Sequence, residues 1–152
     1  MSKTPKARGS GCPISYSLDI FGDRWTLLIL RDLLLAGKQR YREFLTSDEA
    51  IASNILSDRL RRLEAADIIL REPDPNDRRQ LIYRATDKGR TLQPVLLEIA
   101  AWGASNDPET KAPPGFAESF YANREAFHAD HAGMMAKLGK GRNRGSGSSG
   151  EV

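Results

Sequence analysis

Ser53, Asn54, Ser57, Asp58, Arg61 and Arg62 recur at spacings of three and four, so a helix through them would gather all six toward one face. Short polar side chains let a helix backbone come close to the base edges of a DNA major groove. Asparagine can pair with adenine and arginine with guanine through two hydrogen bonds, each worth about 1–3 kcal/mol of discrimination. Asp58 can accept from cytosine, or pair with Arg61 or Arg62 instead. Arg78 and Arg79 stand side by side in a segment rich in Pro, Asp and Asn. Their forked donors suit phosphates or a narrow, electronegative minor groove. Arg40, ahead of the polar face, is grouped with these basic candidates. The competing explanation for each charged stretch is a solvated surface.

Two further groups are weaker. Cys12 is the single cysteine and directly precedes Pro13, so no internal disulfide exists. A thiol at a helix start meets the positive end of the dipole, which favours the oxidisable thiolate. Its oxidation product would be a Cys12–Cys12 bridge between copies or a mixed disulfide with a small thiol. The other reading is an ordinary capping thiol. His128, Asp130 and His131 share a helical spacing, but no further ligand is placed, so no metal is expected. Gly145, Gly147 and Gly150 match a dinucleotide glycine pattern without the strand and helix it requires. No nucleophile, base and orienting group converge, so neither catalysis nor a cofactor is expected.

Composition narrows the setting. Of the 152 residues, 39% are hydrophobic and 28% charged, a balance that builds a packed domain and excludes a disordered chain. No apolar run is long enough to span a bilayer, and the opening stretch carries no apolar secretory core, so no membrane partner is expected and a cytoplasmic location is. The net charge of +3 favours polyanions only mildly, which makes the placement of the arginines matter more than their number.

The elements that would carry these residues follow from periodicity and punctuation. Residues 1–11 are basic and Gly/Ser-containing, a flexible arm. Cys12 as N-cap and Pro13 at the first position open a short helix over 13–21, which Gly22 can close in a left-handed conformation. Asp23 can cap a second helix carrying Trp25, Leu27, Leu28, Leu30 and Leu33 to Leu35, ended by Gly37. A short helix over 40–46 turns Tyr41, Phe44 and Leu45 inward, and after a polar break a helix over 51–65 buries Ile51, Ile55, Leu56, Leu60 and Leu63. The spacing then becomes extended, predicting strands over 68–72 and 81–85 around a basic tip. Thr86 can cap a helix through Leu92, Leu96, Ile99 and Trp102, with Pro94 causing a kink or a late start. That stripe, with Ile14 and Leu18 of the first helix, is the expected dimer contact. Residues 106–115 read as a linker, 116–139 as an amphipathic helix with His128 and Met134 in it, and 140–152 as a disordered tail.

This order, for residues 12–105, predicts a mainly helical α+β domain with a small β-hairpin: a winged helix-turn-helix dimerising through its terminal helices. The stretch resembles HxlR-type regulators through Cys12-Pro13, Gly22-Asp23-Arg24-Trp25, Tyr41-Arg42-Glu43-Phe44, Leu56-Ser57-Asp58-Arg59-Leu60, Thr86-Asp87-Lys88-Gly89-Arg90 and Trp102-Gly103. The wing is closer to that of the related MarR regulators, whose Asp-x-Arg motif matches Asp77 and Arg79. The resemblance implies a homodimeric, non-enzymatic repressor or activator that reads palindromic double-stranded DNA, and in some members a thiol sensor at the position of Cys12. A small-molecule effector or oxidant is the remaining expected partner. The alternative is a winged helix that binds protein and not DNA; the Ser/Asn/Arg face and basic wing argue against it.

Overall fold

The computed structural model describes residues 9–130, so the first eight residues and everything from His131 on, including Met134, Met135, Leu138 and the Gly/Ser tail, lie outside the described residues. The elements run α1 (Pro13–Phe21), α2 (Arg24–Leu34), α3 (Tyr41–Phe44), α4 (Ser53–Ala65), β1 (Ile69–Pro73), β2 (Leu81–Ala85), α5 (Asp87–Arg90), α6 (Gln93–Asn106) and α7 (Phe116–Ala122). This is the winged helix-turn-helix arrangement: α3 and α4 form the helix-turn-helix and the β1–β2 hairpin the wing. Among the described residues no helix is long and apolar enough to cross a membrane.

Local chemistry explains most boundaries. Asp23 caps α2 by accepting from the Thr26 N–H at 3.0 Å and its hydroxyl at 2.6 Å. Thr86 does the same for α5, accepting from the Gly89 N–H at 3.0 Å. Ala50, at φ 53°, and the extended Ala52 delay α4, so the helix begins at Ser53 and Ile51 enters the core from the turn. Pro94 falls in the first turn of α6, where its missing N–H costs nothing, so the helix expected from Thr86 onward starts late, after the separate turn α5. Gly22 closes α1 at φ −75°, not in the left-handed region; its N–H bonds the Leu18 carbonyl at 2.8 Å.

One core joins Ile29, Leu30, Leu33 and Leu34 of α2 to Phe44, to Leu56, Leu60 and Leu63 of α4, to Ile68 and Ile69, and to Leu96 of α6. The hairpin pairs antiparallel, Ile69 opposite Ala85 through Pro73 opposite Leu81. A second small core stacks Phe120 on Leu97 and Ala101, with Leu35, Phe116 and Phe127 around it, so α7 lies along α6. The helix expected over 116–139 is interrupted at Asn123, whose φ −150° and ψ 68° leave the helical region, and resumes over 124–130.

These two cores correct the expected dimer stripe. Leu96, at 6% exposure, belongs to the protomer's own core, and Leu92 is half-buried against it. The helix has apolar residues all round, and its inward side takes Leu96, Leu97 and Ala101. Ile99 and Trp102 stay outside, with Trp102 at 67% exposure, as do Ile14 and Leu18 on α1.

At Gly89 the chain passes so close to the entry of β1 that a Cβ would lie 2.0 Å from the carbonyl oxygen of Ile68, the residue just before the strand. Gly89→Ala must push α5 off the strand and is expected to cost about 1–3 kcal/mol, the scale of overpacking. Urea unfolding checks it: a midpoint equal to that of the parent chain would disprove the contact.

Candidate nucleic-acid interface

The polar face of α4 is held by bonds on the helix's other sides. Its leading turn, residues 45–52, is tied to α2 through Asp32, which is 4% exposed. Asp32 Oδ1 accepts from Arg31 Nε at 3.0 Å, and its Oδ2 accepts from Lys38 Nζ at 3.3 Å and from the Ser47 hydroxyl. Arg31 extends the network with a two-pronged pair to Glu49, at 2.6 and 2.9 Å. The Arg31 guanidinium beside Glu49 outweighs burial and holds that carboxyl down from 4.5 to about 2.

Further along, Arg59 Nε donates to Asp23 Oδ1 at 3.0 Å, joining α4 to the cap of α2. Burial pushes the Asp23 carboxyl up, but the bonds from Thr26 and Arg59 together bring it below its ordinary value. Tyr41 of α3 donates its hydroxyl to the Ser53 carbonyl at 2.9 Å and lies 3.0 Å from the Ser57 hydroxyl. Because a phenol has one proton, the Ser57 hydroxyl must supply the hydrogen of the second bond. Ser57 thus keeps only acceptor capacity for an outside partner.

The six candidates on α4 therefore separate. Ser53 and Asn54 are exposed with no side-chain bond among the described residues, and Arg61 is exposed with no ion pair there. Asp58 is shared between Arg59 and Arg62, the latter at 3.0 Å, which leaves it poorly placed to accept a hydrogen bond from a base. Sequence reasoning placed Asp23 as a helix cap and Tyr41 in the core but missed that they, with Arg59, hold α4; those bonds run between distant positions and leave no local pattern.

The wing tip is shaped by two aspartates. Asp74 is buried, and its Oδ1 accepts from the Asn76 N–H at 2.9 Å; Asp77 Oδ1 accepts from the Arg79 N–H at 3.1 Å. Both are aspartate turns, in which a short carboxylate replaces a backbone acceptor. The Asp77 bond reaches the backbone of Arg79, so the guanidinium is not spent on it. Arg78 and Arg79 are exposed and have no ion pair among the described residues. Arg40 differs: its guanidinium bonds Asp74, and its backbone bridges Ile82 on β2.

Cys12 is exposed at the N-cap of α1. Among the described residues no group of three His, Cys, Asp or Glu could hold a metal ion; the His131 part of the sequence pattern lies outside them.

Residues 20–111 match the family model described as HxlR-like helix-turn-helix. The uncharacterized HTH-type transcriptional regulator YybR of Bacillus subtilis strain 168 is 35% identical over 96 residues, 63% of this chain and 76% of that protein. Among solved structures, the redox regulator HypR in its oxidised form has a TM-score of 0.56 at 34% identity, covering 63% of this chain and 98% of that one. The reduced transcriptional regulator YodB from B. subtilis has a TM-score of 0.53 at 30% identity, covering 66% and 98%. These relatives are transcriptional regulators, not enzymes.

The Arg31–Glu49 pair makes stability depend on acid. Glu49 titrates near pH 2 when folded and near 4.5 when unfolded, so between those values the unfolded chain binds more protons. The pair's contribution is complete above about pH 4.5 and fades as the pH falls toward 2. Glu49→Gln is expected to lose about 1–2 kcal/mol at pH 7, between the exposed and buried limits for ion pairs, and less at pH 3. Thermal unfolding at the two pH values measures this; an equal loss at both would remove Glu49 from the network.

Proposed function

The chain belongs to the HxlR-like helix-turn-helix family, and from that premise we propose that it regulates transcription as a homodimer on a palindromic operator, with no cofactor and no chemistry on DNA. The observation that carries this reading is α4 itself: bonded to its own protomer by Asp23, Tyr41 and the turn, it leaves Asn54 and Arg61 unengaged on one outer face. Asn54 and Arg61 read base edges in the major groove, Ser53 and Arg62 contact the edges or phosphates beside them, and Ser57 accepts from a base amino group. Arg78 and Arg79 follow the adjacent minor groove.

The second protomer is held by the apolar residues left outside both cores: Ile14 and Leu18 of α1, Ile99 and Trp102 of α6. A two-fold axis through them sets half-sites about 34 Å apart, one turn of DNA. Near this face Cys12 is exposed, and the relative HypR is described as a redox regulator. A peroxide would take two electrons and two protons from two Cys12 thiols, one from each protomer. That joins them as a disulfide, reduces the peroxide to two waters and displaces the paired α4 helices from their half-site spacing.

Gel-shift titration at two salt concentrations tests the DNA reading. Selective retention of a palindromic fragment that falls steeply with salt is expected; no retention even at low salt would turn the assignment toward a protein-binding winged helix. Arg61→Ala is expected to cost about 1–3 kcal/mol and to relax preference at one base pair, whereas Arg79→Ala weakens binding across sequences. If neither variant changes binding, the placement of α4 and the wing is wrong. Cys12→Ser is expected to bind DNA as before yet keep binding after peroxide; a variant still released by peroxide would exclude this thiol.

A further inference from the structure

The wing touches the helix-turn-helix along a short seam. Gln39 O accepts from the Tyr83 N–H at 2.8 Å, Arg40 bridges Ile82, and the Phe44 ring stands edge-on to Tyr83 at 6.2 Å. All of this grips β2. The tip has a different attachment: Asp74, at the end of β1, has a side chain 4% exposed, and the Arg40 guanidinium lies on its Oδ2 while Oδ1 holds the Asn76 N–H. The Asp74 N–H in turn bonds Gln80 O at 2.8 Å, closing the hairpin. With the carboxylate side of the pair taken out of water, its attraction to the Arg40 guanidinium is screened less than that of a surface ion pair.

We propose that Arg40 is a positioning residue for DNA binding: with Asp74 it latches the wing tip to the start of α3, fixing Arg78 and Arg79 relative to the recognition helix α4. This rests on the DNA-binding reading above and removes Arg40 from the set of direct contacts. The latch lets one protein frame address two grooves. Base reading by α4 sets where the duplex lies, and the tip can then meet only a minor groove of the right width at the right offset. With the latch open, the arginines would contact phosphates without selecting that width.

Asp74→Asn separates this from a phosphate contact by Arg40, because the two roles predict opposite changes. A latch predicts binding weakened about tenfold, loss of minor-groove protection beside each half-site in a hydroxyl-radical footprint, and unchanged methylation interference at guanines under α4. A phosphate contact predicts stronger binding, since Arg40 is freed and a negative charge is removed; that result overturns the proposal. Arg40→Gln should reproduce the footprint of Asp74→Asn, and Arg40→Asp combined with Asp74→Arg should restore protection in part. A second measurement needs no DNA. In Arg40→Gln alone, amide exchange at Asn76, Asp77 and Gln80 should quicken while the amides of α4 keep their rates. Unchanged tip exchange overturns the latch whatever DNA does, whereas a parent chain that retains no fragment rejects the DNA reading and leaves the exchange result to judge the latch.

Discussion

Asp32 is a carboxylate almost out of contact with water, and the helix-turn-helix is arranged around keeping it satisfied. Three side chains from three places in the chain donate to its two oxygens: Arg31 beside it, Lys38 after α2 and Ser47 in the turn before α4. Apolar packing would tolerate small slides of α4 across α2, because dispersion contacts have no direction. A buried charge does not, since each lost donor leaves desolvation uncompensated. The turn is therefore placed to within the tolerance of a hydrogen bond, and α4 begins from a fixed point.

That constraint sorts the arginines by role. Arg31, Arg40 and Arg59 pair with Glu49, Asp74 and Asp23 from other segments, and Arg62 pairs with Asp58 one turn away. Arg61, Arg78 and Arg79 are exposed without such partners among the described residues. The same side chain serves both groups because its planar fork matches a carboxylate as well as a phosphate. Net charge hides the distinction. The total of +3 is carried by the ends of the chain: residues 9–130 hold 16 basic and 19 acidic residues, while residues 1–8 and 131–152 together add seven basic residues and one acidic.

What could be seen in the sequence was whatever repeats or punctuates locally. Leu56, Leu60 and Leu63 mark one side of α4 by spacing alone, and Pro13, Asp23 and Thr86 mark helix starts, because capping acts within a single turn. The polar side of α4 was legible for the same reason. Long-range pairing was not. Nothing near Arg40 announces Asp74, and nothing near Tyr41 announces Ser57, since those partners meet only after the hairpin and α4 have folded. The burial of Leu96 was hidden for a related reason: in a helix apolar all round, spacing cannot tell which side the protomer keeps, and for Leu96 the choice depends on the main core shared with α2 and α4. The break at Asn123 interrupts an apolar pattern that continues across it, so periodicity carried the reading past the end of α7.

The hairpin has one further property. β2 is flanked by β1 and by the bridge at Arg40, but among the described residues no strand lies on the outer side of β1. An unfilled edge of backbone donors and acceptors is a template on which another copy could add a strand and start an aggregate. This edge is poorly suited to that. It is five residues long, it carries Arg71 and Glu72, and it ends at Pro73, which has no N–H to offer. The residues that terminate the wing thus also keep it from being extended, and they leave the tip that carries Arg78 and Arg79 open to solvent.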